Sequence, residues 1–171
     1  MAEQPELDHL MDTYGSSVLK LAFSYLKDKA LAEDIFQEVF LRVYQSLHTI
    51  RDQRNLRKWI LTITANLCRD YLRSWSWRNL IPTDEESLSE KVGSQDTEQE
   101  IIQIEQDRKL MEAVMELPVL FRVTIILYYY EEFDSTEIAS IEGISPVTVR
   151  IRLYRARKQL KKLLEKEGFP I

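Results

Sequence analysis

The chain has 171 residues and a formal net charge of −5; 44% of it is hydrophobic, and it holds only four glycines and five prolines. That hydrophobic share excludes wholesale disorder, and so little glycine and proline is poor material for sheets joined by tight turns. One cysteine excludes an internal disulfide, and with only two histidines beside it a His/Cys zinc cluster is excluded too, so neither a metal nor a cofactor is expected.

Residues 5–26 carry Leu7, Leu10, Met11, Tyr14, Val18, Leu21 and Tyr25 at spacings of three and four, the stripe of an amphipathic helix. A second stripe follows with Leu31, Ile35, Val39 or Phe40, Val43 and Leu47, while Glu33, Asp34, Gln37 and Glu38 occupy its other face. The period lapses over "HTIRDQRN" (48–55), which reads as a polar loop. A third helix, about 56–77, places Trp59, Ile60, Ile63, Leu67 and Tyr71 on its buried side. Three helices over this length can enclose a modest core.

Residues 79–99 hold six acids, one Lys and most of the local Ser, Thr and Gly, with no apolar period; this is a flexible acidic linker. Fully extended, it reaches roughly 70 Å. Helical pattern resumes at Ile101 with Ile104, Leu110, Met111 and Val114. Pro118 suits a first helical turn, and it opens "PVLFRVTIILYYYEE", an apolar helix for the centre of a second core. Its run "VTIILYYY" is the longest in the chain and too short to span a bilayer. The amino terminus lacks the basic start and apolar stretch of a secretory signal, so a soluble cytoplasmic protein is expected.

Asp134, three residues before Glu137, has the spacing of a capping box. "STEIASIE" is then a short helix, Gly143 a turn, and Ser145 a second N-cap with Pro146 behind it. A short helix, a glycine turn and a longer helix make a helix-turn-helix. In the longer helix Val149, Leu153, Ala156, Leu160, Leu163 and Leu164 fall on one side, the buried stripe. Val147, Thr148, Arg150, Ile151, Tyr154, Arg155, Arg157 and Lys158 face outward, and Arg152 at the stripe's edge is placed to brace the fold. The chain is therefore expected to be all-α: two small helical domains, 1–78 and 100–171, joined by the linker at 79–99, the second a four-helix domain containing the helix-turn-helix.

Charge is zoned. Residues 145–165 sum to +6 and residues 51–78 to +5, which leaves −16 for the remainder. Basic islands in an acidic body suit nucleic acid at the islands and another partner around them. The plainer alternative is a solvated basic helix, or one docked on an acidic protein; two N-caps, a glycine turn and a preceding short helix favour DNA. The start of a recognition helix enters the major groove, where Arg and Thr reach base edges while bases further along meet phosphates.

"STEIASIEGISPVTVRIRLYRARKQLKKLL" resembles the carboxy-terminal promoter-reading segment of bacterial RNA polymerase sigma factors of the extracytoplasmic function (ECF) group, and "ELPVLFRVTIILYYYEEF" resembles the helix before it. "AEDIFQEVFLRVYQSL" is similar to the family's polymerase-binding helix and "LRKWILTITANLCRDYLR" to the segment that melts and reads the −10 element. The resemblance covers nearly the whole chain in the family's order. It implies a specificity subunit with no catalytic chemistry of its own and no small-molecule substrate.

By that resemblance Asp34, Gln37 and Glu38 dock on the clamp helices of the polymerase's largest subunit; as bare residues they are equally the wet face of a helix. The −10 element and its single strand fall to His48, Arg51, Arg54, Asn55, Asn66, Arg73, Trp75 and Arg78, with the loop at 48–55 capturing a flipped base. Trp59 reads as core, Cys68 as a small buried residue, and Trp75 and Trp77 as either stacking platforms or the closure of the first domain. The outward face of the last helix reads the −35 element, and its domain rests on the polymerase flap. The linker would lie in the polymerase's RNA path, and an anti-sigma factor is the implied regulator, with no insertion into the membrane by this chain.

The chain departs from the family at Glu142, Val147 and Ile151, and at Glu132–Phe133, where a Gly is common. Ile151 offers an apolar contact for a thymine methyl. The rival reading is a stand-alone helix-turn-helix regulator that binds a palindrome without polymerase; a third, an enzyme with an appended DNA domain, finds no catalytic residues here.

Overall fold

This computed structural model describes the backbone of residues 6–78 and 98–168 and the side chains of residues 6–74 and 106–168. Most of the linker, and the side chains of Trp75, Trp77 and Arg78, lie outside the described residues. The elements run α1 (Leu7–Leu26), α2 (Lys29–Ser46), α3 (Leu56–Arg78), α4 (Glu98–Glu116), α5 (Val119–Ile125), α6 (Ser135–Glu142) and α7 (Pro146–Lys166). The described residues contain no strand.

Helices α1, α2 and α3 pack on one another and close the first lobe over Leu10, Val18, Leu21, Val39, Val43, Ile60 and Leu61, all buried. Two local devices set the α1–α2 corner. Lys27 takes the left-handed conformation (φ 52°) and its N–H closes α1 on the Phe23 carbonyl, while the Asp28 carboxylate accepts from Leu31 N–H at 3.1 Å and starts α2. Such a cap is worth about 1 kcal/mol. Gly15 lets α1 approach α2, since a Cβ there would stand 3.0 Å from the Phe36 ring.

The segment read as a polar loop contains two single 3-10 turns, Leu47–Thr49 and Gln53–Asn55, the second capped by Asp52, whose side chain accepts from Arg54 N–H. α4 begins at Glu98, three residues before the apolar period starts at Ile101, because its first turn is polar. Pro118 stands at the N-cap of α5 rather than inside its first turn.

In the second lobe α5 runs on as a π-helical turn, Ile126–Tyr130, which ends with Glu131 N–H on the Ile126 carbonyl. Val123, Ile125, Ile126 and Leu127 are buried, so the apolar run is the centre of the second core. The capping box of Asp134 and Glu137 is formed in both directions, Gly143 turns at φ 68°, and the Ser145 hydroxyl accepts from Thr148 N–H. Each of these was legible in the sequence.

The two lobes are packed together, which the sequence does not indicate. α1 lies against α5 and the π-helical turn, and α3 lies against α6. Arg122, buried, makes one of the polar contacts at the seam. Its Nε donates to the Ser24 carbonyl and its Nη2 to the Tyr25 carbonyl at the end of α1, while Nη1 donates to the Leu117 carbonyl at 2.9 Å and to Met115 at 3.3 Å. A helix end leaves its last carbonyls without partners, and one guanidinium here serves two such ends. Burial lowers the Arg122 pKa to about 10.

Candidate functional site: three surfaces around one seam

Helix α2 turns its wet face outward with Asp34, Gln37 and Glu38 all exposed, and Glu38 accepts from Arg42 Nε at 3.1 Å. Leu41 and Tyr44 are exposed on the same side, one and two turns further along. Carboxylates beside bare apolar groups make a mixed surface of the kind proteins use on one another. Sequence reading missed Leu41 and Tyr44, though both are apolar residues that fall off the buried stripe of α2.

Between the two 3-10 turns and the start of α3 lies a cleft of about 220 Å³. Its apolar walls are Ile50, Leu56 and Trp59, and Arg51, Asp52 and Asn55 supply polar groups. Apolar walls with a few fixed polar groups suit a flat ring with an edge to be read. Trp59 is half-buried and packed on the core, as its sequence position suggests, and it also lines the cleft. Arg54 hydrogen-bonds Asp52 through Nε at 3.2 Å and does not line the cleft; the bonds from Arg54 lower the Asp52 pKa. His48 is exposed on the first turn. Asn66 and Arg73 are exposed along α3, Asn66 accepting from Arg69 Nη2 and Arg73 donating to Asp70 at 2.5 Å. Cys68 is fully buried, and burial pushes its thiol up to about 12, an inert group.

The helix-turn-helix forms the third surface. Val149, Leu153, Ala156 and Leu164 are buried as the stripe requires, and Val147, Arg150, Ile151, Tyr154, Arg155 and Lys158 are exposed. Two outward residues are otherwise engaged. Thr148 Oγ1 lies 2.9 Å from Ser145 Oγ in the cap, and Arg157 Nε donates to the Tyr129 hydroxyl at 2.6 Å while lying over the Tyr128 and Tyr129 rings. Arg152 braces the fold: its Nη1 lies 3.8 Å from the buried Glu142 carboxylate, which also accepts from the Thr124 hydroxyl at 3.0 Å. Burial raises the Glu142 pKa, and Thr124, Arg152 and Arg69 pull the other way.

The basic island at 51–78 is divided. Arg57 and Arg69 point to the second lobe, Arg57 to Glu131 and Arg69 to the Ile141 carbonyl at 3.3 Å, while Arg69 also donates to the Tyr25 hydroxyl of its own lobe. Tyr25, buried, has its pKa raised, first by desolvation and then by Glu142. Sequence patterns assign charge to a helix face, not to a neighbouring lobe, so these roles carried no signal. Among the described residues no group of His, Cys, Asp or Glu could hold a metal, and no helix is long and apolar enough to cross a membrane.

Residues 10–78 match the family model Sigma-70 region 2 and residues 107–160 match Sigma-70, region 4. The chain is 34% identical to the RNA polymerase sigma factor SigV of Bacillus subtilis, covering 94% of this chain and 89% of that one. It is 31% identical to the ECF RNA polymerase sigma factor SigM of the same organism, covering 92% and 94%. A longer relative, the probable RNA polymerase sigma factor RfaY of Xanthomonas campestris, is 34% identical over 85% of this chain, which spans only 37% of that protein. In fold it resembles the sigma factor RpoE of Bartonella quintana, solved with the anti-sigma factor NepR: TM-score 0.73, 21% identity, 92% of this chain and 96% of that one. The likeness to SigV and SigM runs over nearly the whole of both proteins, and the two family regions hold the cleft and the helix-turn-helix; the chain belongs to the ECF group of RNA polymerase sigma factors.

Proposed function

We propose that this sigma factor works as two reading heads that part when mounted on core RNA polymerase. The first head docks through Asp34, Gln37 and Glu38 with Leu41 and Tyr44, and takes a flipped base of the −10 element into the cleft of Arg51, Asn55 and Trp59. Unstacking a base costs a few kcal/mol, offset by the cleft and by backbone contacts, so strand opening needs no hydrolysis by this chain. The second head lays the start of α7 in the major groove of the −35 element, with Arg155 and Lys158 on phosphates. Arg54, Arg73 and Arg78 add a cationic track to the single strand, with His48, Asn66 and Trp75 offering polar and stacking contacts along it.

One observation carries the two-headed reading: a base-sized cleft and a helix-turn-helix stand on separate lobes of one chain. Geometry adds a requirement. The two elements lie about 25 base pairs apart, about 85 Å of duplex, whereas a packed chain of this length spans about 40 Å. With α3 against α6, both heads sit on one body and cannot meet both elements together. The linker between them is long enough to let them separate.

In this reading the protein works in the cytoplasm without catalytic chemistry or a cofactor, and it is held by an anti-sigma factor, the kind of partner with which its Bartonella structural neighbour was co-crystallised. The test is run-off transcription with purified core polymerase and mapping of the start sites. Promoter-specific products dependent on the chain are expected. A chain that confers none, yet occupies palindromic duplex alone, is the stand-alone regulator instead.

A further inference from the structure

On α7 the side chains of Val147, Ile151 and Tyr154 are 55%, 45% and 61% exposed, in a second lobe that buries most of its other large apolar residues. At 100° per residue the three fall within about 60° of one another, one apolar strip along the outward face. Cations flank it: Arg150 and Arg155 are exposed, and the Lys158 ammonium sits 5.3 Å from the centre of the Tyr154 ring. At this end of the helix the Thr148 hydroxyl is paired with that of Ser145 in the cap, so polar reading by it is curtailed.

We propose that Val147 and Ile151, with Tyr154 beyond them, are specificity residues that read the 5-methyl groups of thymines in the promoter duplex. The inference rests on the reading of the second lobe given above and names what that lobe recognises. The major-groove edge of B-DNA presents one apolar group, the methyl of thymine, and an exposed aliphatic side chain between cations fits it while phosphates hold the flanks. Spacing narrows the pattern. Val147 and Ile151 are about 6 Å apart along the helix axis, close to two base steps of 3.4 Å, so the helix addresses methyls about two steps apart, on either strand.

The test uses full-length protein with core polymerase on a promoter found by mapping its starts. Each thymine near −35 is replaced singly by deoxyuridine, which pairs identically and lacks only the methyl. At one or two positions initiation should fall about fourfold, the worth of one buried methyl. Ile151→Ala should cost a similar factor on the thymine template and nothing further on the uridine template at its own position. Arg155→Ala should weaken both templates equally. If every uridine template initiates like thymine, or if Ile151→Ala weakens both alike, the strip serves another contact and the inference is wrong. A chain that starts no specific transcript on unmodified DNA removes the underlying reading, and the inference with it, before any uridine is introduced.

Discussion

Arg57 of the first lobe and Glu131 of the second hold each other across the seam. Arg57 Nη2 lies 2.5 Å from Glu131 Oε2 and 2.6 Å from its backbone carbonyl, and the carboxylate, only 3% exposed, also accepts from the Ser17 hydroxyl at 2.9 Å. The Arg57 guanidinium further stacks 4.4 Å from the Phe133 ring centre.

Breaking that pair should open the chain. Arg57→Ala leaves a buried carboxylate with one hydroxyl donor, a loss of about 2–4 kcal/mol from the closed state. We expect a larger radius of gyration in small-angle scattering with helical content by circular dichroism unchanged. An unaltered radius would mean the seam is held by Arg122 and apolar contacts without help from this pair.

Salt dependence checks the groove face. Arg155→Ala should lower the slope of log affinity against log salt by about one for the cognate duplex bound by holoenzyme. Arg157→Ala should change that slope less, since its guanidinium is engaged by the Tyr128–Tyr129 pair. Equal slopes for both variants would place Arg157 on phosphate after all.

Glu132 holds the left-handed conformation, φ 59°, just past the π-helical turn, at the site where the family resemblance led one to look for glycine. A side chain there costs about 1–2 kcal/mol against glycine, less what glycine loses in chain entropy. Glu132→Gly should therefore raise the unfolding midpoint, by roughly 0.5–1 kcal/mol of stability. A lower midpoint would show that the exposed Glu132 side chain contributes more than its backbone costs.

How much was legible follows from where each signal resides. Asp134–Glu137, Gly143 and Ser145 act within a few residues of themselves, so a single stretch of sequence discloses them. The stripe of α7 was equally readable, because a helix buries what its period dictates. Arg57, Arg69 and Arg122 were not, since each finds its partner in the other lobe, as far as 98 residues away for Arg122 and Ser24. The cleft was half legible: its loop was named from family likeness, but only the folded turns show Ile50, Leu56 and Trp59 facing one space.

The surface of α2 extends beyond its acids. Asp34→Lys should abolish association with core polymerase by reversing a charge, and Leu41→Ala with Tyr44→Ala should weaken it at least tenfold by removing apolar contact. The two effects separate by salt: the Asp34 effect shrinks as ionic strength rises, and the apolar one does not. Normal pull-down by the double variant would confine docking to the carboxylates.

Glu142 gives the second lobe a stability that depends on pH. Its pKa is raised by burial, so the folded state binds the proton more tightly than the unfolded one. Stabilisation from the protonated form is complete below the ordinary glutamate value of about 4.3 and is lost as pH climbs through the raised value. Glu142→Gln keeps the shape and the contact with the Thr124 hydroxyl but cannot ionise, while it also gives up the attraction of Arg152. The stability difference between variant and wild type should therefore move in the variant's favour as pH increases, read from urea unfolding at several pH values. A difference that stays flat from pH 4 to pH 8 would show that Arg152, Arg69 and Thr124 cancel the cost of burial, and that the carboxylate behaves as if it were in water.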